Sequence, residues 1–117
     1  MMKLGTAIGA KKITLFGLAG IGDLMVTCFS KHSRNRLLGE KIGQGKKVSE
    51  ALKEMTMVAE GYPTSKSAYQ LLHKVHCEAP ILTELYRVLY ESKNVRESIR
   101  DLMTRPLRKE NEELDWN

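Results

Sequence analysis

Apolar residues recur at every third or fourth position along much of this chain, and no segment convincingly shows the alternation of a half-buried strand. One stripe runs through Ala68, Leu71, Leu72 and Val75, and another begins directly after Pro80. This spacing places side chains on one face of an α-helix. The pattern therefore predicts amphipathic helices and an all-α fold.

Capping residues predict where further helices begin and end. Asn94 and Glu97 have the spacing of a capping box, and the helix that they open should end before Pro106. Ser33 can cap a second helix, and Ser49 can cap a short third one. Each of these boundaries depends only on residues a few positions apart in the chain.

The first part of the chain carries a weaker pattern. Segment 4–12 is predicted to be helical despite two glycines, and segment 12–16 is the only candidate strand. One strand cannot form a sheet, so the predicted class stays all-α. We expect a compact domain of about six or seven helices over residues 1–106, followed by a charged tail over residues 107–117.

The length and the cysteine content narrow the classes of protein further. With 117 residues, the chain can form one core but not both a nucleotide-binding sheet and a separate substrate domain, each of which needs about 100 residues. Cys28 and Cys77 are too few for a disulfide scaffold, which favours a reducing, cytoplasmic setting. Segment 13–30 is apolar, but its glycines and Asp23 argue against a membrane span or a signal peptide.

Basic residues are concentrated in segment 31–47. It contains six Lys or Arg residues and one Glu, so it carries a net charge equal to the +5 of the whole chain. If a helix begins after Ser33, a helical wheel places Arg34 on its apolar face and Asn35 at the edge of that face. Arg36 points away to solvent.

An arginine on a buried face requires an anion, because an unpaired buried charge is very costly. The free N–H groups at a helix N-terminus favour the same kind of partner. Ser33, Arg34 and Asn35 together suggest a cradle for a phosphate or a carboxylate; alternatively, Arg34 pairs with a carboxylate of the protein and Ser33 only caps the helix. The net charge of +5 also fits a small basic helical module that binds nucleic acid, although no aromatic platform lies among these residues.

Asp23 stands alone in an apolar, glycine-rich segment. A lone carboxylate in such surroundings either caps the helix that follows or pairs with a cation at a functional cleft. The glycines between positions 17 and 22 do not have the spacing of the dinucleotide fingerprint. His73, His76 and Cys77 fit no zinc-site spacing, so no metal is expected.

Three ordered motifs carry a specific resemblance. They are GLAGIGDLMVTC at residues 17–28, SRNR at residues 33–36 and MVAEG at residues 57–61. With them, residues 4–108 closely resemble the C-terminal helical domain of bacterial NAD(P)-dependent glycerol-3-phosphate dehydrogenases. The resemblance implies a cytoplasmic oxidoreductase that passes a hydride between NAD or NADP and dihydroxyacetone phosphate, giving sn-glycerol 3-phosphate for phospholipid synthesis.

The resemblance also implies roles for individual residues. Four positions match substrate-binding residues of the family: Asp23, Ser33, Arg34 and Asn35. Three positions match residues that face the dinucleotide: Arg34, Val58 and Glu60. The anion at Arg34 would then be the substrate phosphate, and Asp23 would orient a catalytic cation.

The sequence also departs from the family pattern. The family's N-terminal dinucleotide-binding domain and its catalytic lysine have no counterpart among these 117 residues, and Pro63 is not expected at its position. We therefore predict that the isolated chain is inactive and that the missing domain is its partner. The apolar segment around Leu15, Phe16 and Leu18 predicts self-association. No nucleic-acid partner and no membrane span are expected.

Overall fold

The computed structural model describes residues 1–106, and the charged tail predicted over residues 107–117 lies outside them. The described range is helical without strands, which confirms the all-α class. It contains eight α-helices, slightly more than the pattern indicates, because the opening part is divided into short pieces. They are α1 (Met2–Ala7), α2 (Lys12–Phe16), α3 (Asp23–Phe29), α4 (Arg34–Gly43), α5 (Val48–Lys53), α6 (Gly61–Lys74), α7 (Pro80–Tyr90) and α8 (Val95–Met103), with a π-helical turn at Leu18–Gly22.

The opening part differs from its prediction in two places. Segment 12–16, the only candidate strand, forms the short helix α2. Such a short apolar run fits a strand or a helix equally, and no described residue offers it a neighbouring strand. Gly9 adopts φ +94°, and the helix predicted over segment 4–12 ends at Ala7.

The π-helical turn joins α2 to α3 through a close approach of backbone to backbone. Gly20 is buried in this turn, and a Cβ atom at its position would lie 2.0 Å from the backbone oxygen of Leu15. Only glycine allows this approach. The glycine at position 20 is therefore explained by packing of the chain on itself.

The core lies in residues 34–103. Its main cluster of buried apolar side chains comes from α4, α5, α7 and the turn before α6, and consists of Leu38, Ile42, Ala51, Ala59, Val88 and Leu89. Leu72 of α6 is also buried. Among positions 1–30, by contrast, Gly20 is the only buried residue. Leu18 and Phe29 are 88% and 80% exposed. The first 30 residues thus form a helical surface without a core.

Tyrosine rings join α6 to α7. Tyr69 stacks on Tyr86 with 3.9 Å between ring centroids, and Tyr62 stacks on Tyr90 at 4.7 Å. The Tyr90 hydroxyl donates a hydrogen bond to the carbonyl oxygen of Tyr62 at 2.7 Å, and burial raises the pKa of Tyr90. Pro63 lies in the first turn of α6, where its missing N–H breaks no helical hydrogen bond.

A buried carboxylate joins α7 to α8. Glu84 accepts hydrogen bonds from Arg87 and Lys93, both at 2.6 Å, and from Ser98 at 2.8 Å. The hydrogen bond from Lys93 is the main cause that lowers the pKa of Glu84 from 4.5 to about 2, although burial opposes this shift. Glu84 therefore remains charged inside the helix pair and holds three partners in place.

Two of the predicted helix caps are confirmed. The hydroxyl of Ser33 and the carboxamide oxygen of Asn94 each accept a hydrogen bond from a backbone N–H in the first turn of their helix, at 3.2 and 2.9 Å. The third cap differs, because α5 begins at Val48 with Lys47 as its N-cap residue. Ser49 lies inside that helix and does not cap it.

Candidate functional site

The N-terminus of α4 carries three of the predicted site residues. Ser33 precedes the helix with extended backbone, and Arg34 and Asn35 are its first two residues. The backbone N–H groups of Arg34 and Asn35 donate no hydrogen bond within residues 1–106. Unpaired N–H groups and the positive end of the helix dipole attract an anion at this end of α4.

Arg34 lies on the exposed side of this helix end, which corrects the prediction that it shares the buried face. The buried face of α4 contains Leu38 and Ile42. On the helical wheel the midpoint of these two residues lies between Arg34 and Asn35 and is closer to Asn35. The Arg34 side chain makes no hydrogen bond or ion pair in the described part of the chain, so no described carboxylate pairs with it. Its guanidinium is available to an external anion.

Arg36 is exposed as predicted, but it is engaged by the protein. Its Nε donates a hydrogen bond to Glu40 at 2.9 Å, and its Nη1 donates to the carbonyl oxygen of Phe29 at 3.4 Å. An exposed pair of this kind contributes little to stability. Arg36 is therefore the natural control for Arg34.

Asn35 connects α4 to the turn before α6. Its carboxamide oxygen accepts a hydrogen bond from the backbone N–H of Gly61 at 2.8 Å, across a separation of 26 residues. In this turn Ala59 is buried, whereas Val58 and Glu60 are exposed. One hydrogen bond thus links Asn35 to Gly61, the residue directly after Glu60. No local sequence pattern could reveal this contact.

Asp23 is the first residue of α3 and is exposed. It does not cap the helix, because α3 continues from the π-helical turn and Gly22 already has helical backbone angles. The cap interpretation is therefore wrong. The carboxylate makes no hydrogen bond or ion pair with residues 1–106, so nothing of this kind connects it to α4.

A cavity of about 450 Å³ opens beside Asn35, between α4, α7 and α8. Apolar side chains such as Leu38, Leu85 and Ile99 form most of its walls. Glu84 also borders it, but its carboxylate is already held by partners on α7 and α8. The cavity therefore offers a hydrophobic surface, while the α4 N-terminus offers the positive charge.

Histidines and cysteines form no metal centre in the part of the chain that the structure describes. No three His, Cys, Asp or Glu side chains lie close enough there to hold an ion. Cys28 and Cys77 are free thiols. In the same range, no helix is long and apolar enough to cross a membrane.

A family model, related sequences and a solved structure all match this chain to the same family. Residues 1–100 match the model of the C-terminus of NAD-dependent glycerol-3-phosphate dehydrogenase. The chain is 54% identical over 103 residues to a glycerol-3-phosphate dehydrogenase (NAD(P)+) of Staphylococcus saprophyticus, covering 88% of this chain and 31% of that protein. The enzyme of the same name from Citrifermentans bemidjiense is 51% identical over 110 residues, covering 94% of this chain and 33% of that protein.

A crystal structure of glycerol-3-phosphate dehydrogenase from Coxiella burnetii shares the fold. The TM-score is 0.84 at 33% sequence identity, and the match covers 88% of this chain and 32% of that one. This chain therefore spans about a third of the length of these relatives. None of these matches supports the nucleic-acid-binding alternative. Because the family model matches nearly all of the described residues, the chain belongs to the NAD-dependent glycerol-3-phosphate dehydrogenase family and corresponds to its C-terminal helical domain.

Proposed function

We propose that this chain is the substrate-binding domain of an enzyme that interconverts dihydroxyacetone phosphate and sn-glycerol 3-phosphate with NAD or NADP, for phospholipid synthesis. The names of the relatives support both the substrate and the cofactor. We also propose a cytoplasmic location. The free thiols of Cys28 and Cys77 are in keeping with a reducing compartment.

The observation that carries the proposal is the unpaired guanidinium of Arg34 at the N-terminus of α4. A phosphate group is anionic at neutral pH and accepts several hydrogen bonds, which a guanidinium donates in pairs. The hydroxyl oxygen of Ser33 accepts from the helix, so its own hydrogen remains available to a ligand. Ser33, Arg34 and Asn35 together therefore form the proposed phosphate site.

The turn before α6 forms the proposed cofactor side of the site. Val58 is 62% exposed and can cover an apolar ring. The exposed carboxylate of Glu60 can accept hydrogen bonds from ribose hydroxyls. Asn35 contacts this turn through Gly61, and Arg34 directly precedes Asn35 in the chain. The guanidinium of Arg34 can therefore also bind the phosphates of the dinucleotide. These residues fit a nicotinamide dinucleotide, which supplies or accepts the hydride when bound.

Asp23 is proposed to orient the cation that acts at the substrate carbonyl. In the family that this sequence resembles, that cation is the catalytic lysine. No residue among these 117 matches it. An exposed carboxylate without a partner in residues 1–106 suits a group that meets its partner from elsewhere. Because neither the catalytic lysine nor the dinucleotide platform is encoded here, the isolated chain should be inactive.

The apolar surface of the first 30 residues is the proposed contact with the remainder of the enzyme. Leu18, Val26 and Phe29 are between 74% and 88% exposed. Soluble proteins rarely leave such a patch to water. When the chain is alone, the same surface should drive self-association, so dimers or larger species are expected.

The test supplies the missing part of the enzyme. The first two-thirds of the S. saprophyticus relative is fused to this chain, and oxidation of NADH by dihydroxyacetone phosphate is followed through the nicotinamide absorbance. We expect turnover from the fusion and none from either piece alone. A fusion that folds and binds NADH but shows no turnover would overturn the proposal, and so would turnover by the 117-residue chain alone.

A further inference from the structure

We propose that Gly61 is a positioning residue, which holds the Asn35 carboxamide so that only its NH2 group can meet a ligand. The inference rests on the proposed function and deepens it, because it adds a residue outside the sets assigned to substrate and cofactor. In this role Gly61 need not contact the substrate or the cofactor itself. It acts on the phosphate site through Asn35.

The hydrogen bond between the two residues defines which way the carboxamide faces. Gly61 offers a backbone N–H, and a donor can be met only by an acceptor, so the carboxamide oxygen of Asn35 lies toward Gly61 at 2.8 Å. The NH2 group makes no hydrogen bond with any residue between positions 1 and 106, and Asn35 is exposed. Its two donors therefore remain for a ligand with acceptor atoms, such as a phosphate.

Glycine is required at position 61 because of space. Its φ lies outside the left-handed region, so its backbone conformation is open to other residues. A Cβ atom there would lie 2.9 Å from both Cγ and Oδ1 of Asn35 and 3.1 Å from its Nδ2. Contacts this short force one partner to move, and the Asn35 side chain can rotate away. A side chain at position 61 would thus turn the carboxamide while the helices stay in place.

The same bond satisfies a backbone group that α6 cannot satisfy itself. Gly61 is the first residue of α6, where N–H groups have no acceptor within the helix. Glu60 precedes it with helical backbone angles and makes no side-chain cap. Asn35 therefore acts as the cap of α6 from a different helix, which gives the carboxamide a definite orientation before any ligand arrives.

The first test uses the 117-residue chain and needs no ligand. In an isotope-labelled sample, Gly61→Ala should shift the NMR resonances of the Asn35 side-chain NH2 group, while the amide of the core residue Leu89 keeps its position. The control is Gly39→Ala in α4, where an added Cβ atom meets nothing within 4 Å. Equal Asn35 shifts in the two variants, or none in Gly61→Ala, would overturn the inference.

The second test uses the fused enzyme. Gly61→Ala should raise the KM for dihydroxyacetone phosphate about tenfold or more, the effect of losing one hydrogen bond to a charged group. The kcat should change less than about twofold, because ground-state phosphate binding is what is lost. Gly39→Ala should match the unchanged enzyme. A merely structural role of Gly61 would lower the amount of active enzyme and leave KM unchanged, which would overturn the inference.

A third variant sharpens the kinetic test. Asn35→Asp keeps the oxygen that Gly61 requires but loses both donors and adds a negative charge, so it should raise KM further than Gly61→Ala does. Because both changes act on the same carboxamide, their effects on KM should not add in the double variant. Additive effects would show that Gly61 acts independently of Asn35 and would overturn the inference.

Failure of this inference can be distinguished from failure of the proposed function. If Arg34→Ala leaves KM unchanged, the phosphate site is wrong and the role of Gly61 falls with it. If Arg34→Ala raises KM while Gly61→Ala behaves like Gly39→Ala, the phosphate site stands and only the positioning role is overturned.

Discussion

Residues 1–30 and residues 34–103 are both largely helical, but only the second region has a core. In the second region, helices bury side chains such as Leu38 and Leu89 against one another. In the first region, Gly20 of the π-helical turn is the only buried residue, and most of the large apolar side chains, such as Leu18 and Phe29, are exposed. Apolar periodicity therefore defines which face of a helix can be buried, whereas burial of that face depends on a second surface that packs against it.

Replacing one leucine by alanine in each region tests this contrast directly. Leu89→Ala, in the core, should lower the free energy of unfolding by about 2–5 kcal/mol. Leu18→Ala should change it by less than about 0.5 kcal/mol, because that side chain is 88% exposed. Urea titrations followed by circular dichroism measure both values. Comparable losses would mean that the first region is packed in solution and that the contrast is wrong.

The next effect concerns α4, where the second region begins. In the fused enzyme, Arg34→Ala should lower kcat/KM by an amount equivalent to about 2–4 kcal/mol, mainly through a higher KM, because the proposed charged hydrogen-bonded pair with the substrate phosphate is lost. Arg36→Ala should do little, since it loses only an exposed pair with Glu40. Steady-state kinetics with varied dihydroxyacetone phosphate compare the two. Equal effects of the two substitutions would mean that the phosphate does not bind at this end of α4.

Within the second region, replacing a buried carboxylate should destabilise the fold more than replacing an exposed one. At neutral pH, Glu84→Gln should lower the free energy of unfolding by about 1–3 kcal/mol, because charge-assisted hydrogen bonds to a buried group are lost. Glu54 is exposed and pairs with Lys41 and Lys46 at 2.6 Å. Glu54→Gln should cost less, and salt should diminish its cost.

The lowered pKa values of Glu84 and Glu54 predict how the stability of the fold depends on pH. The pKa of each is lowered in the folded state from 4.5 to about 2, for Glu54 mainly by the hydrogen bond from Lys41 and for Glu84 mainly by the one from Lys93. Their stabilisation is therefore fully present above pH 4.5 and is lost as the pH falls toward 2. Urea titrations across this range should show a weaker pH dependence in Glu84→Gln. If the Glu84→Gln variant lost as much stability as the unchanged chain between pH 4.5 and 2, the prediction would be wrong.

The smallest effect on stability is expected at Asp23, in the first region. Asp23→Asn should change the free energy of unfolding by less than about 0.5 kcal/mol, because its carboxylate has no partner among the described residues. In the fused enzyme this substitution should lower kcat more than it raises KM, because the proposed role of Asp23 is to orient a reacting group. A clear loss of stability with unchanged kinetics would assign Asp23 to the fold instead.

Local signals predicted most of the second region. The caps at Ser33 and Asn94 are confirmed because capping depends on residues that lie a few positions apart. The stripe from Ala68 to Val75 lies in and directly after α6, and the stripe after Pro80 lies in α7. Within a helix, the chain itself brings such residues together, so their sequence spacing is enough to predict their common face.

Features that depend on distant parts of the chain could not be predicted. A helical wheel treats Leu37 and Leu38 as equal, but the fold buries Leu38 and leaves Leu37 44% exposed. The buried face is therefore turned toward Asn35, which explains the wrong placement of Arg34. The contact between Asn35 and Gly61 spans 26 residues and leaves no local pattern. The roles of the site residues came from the family resemblance, and they stay predictions.

The contacts that join α6, α7 and α8 have a consequence for how the chain folds. The stacked tyrosines and the hydrogen bonds of Glu84 connect helices that follow one another in the chain. Closing the short loops between such neighbours costs little conformational entropy, so these three helices can assemble rapidly. Residues 1–30 add no side chain to the apolar core cluster. Until the proposed partner surface covers them, the apolar side chains of this region are exposed to aggregation, so the order of assembly should affect the yield of this domain as much as its final stability does.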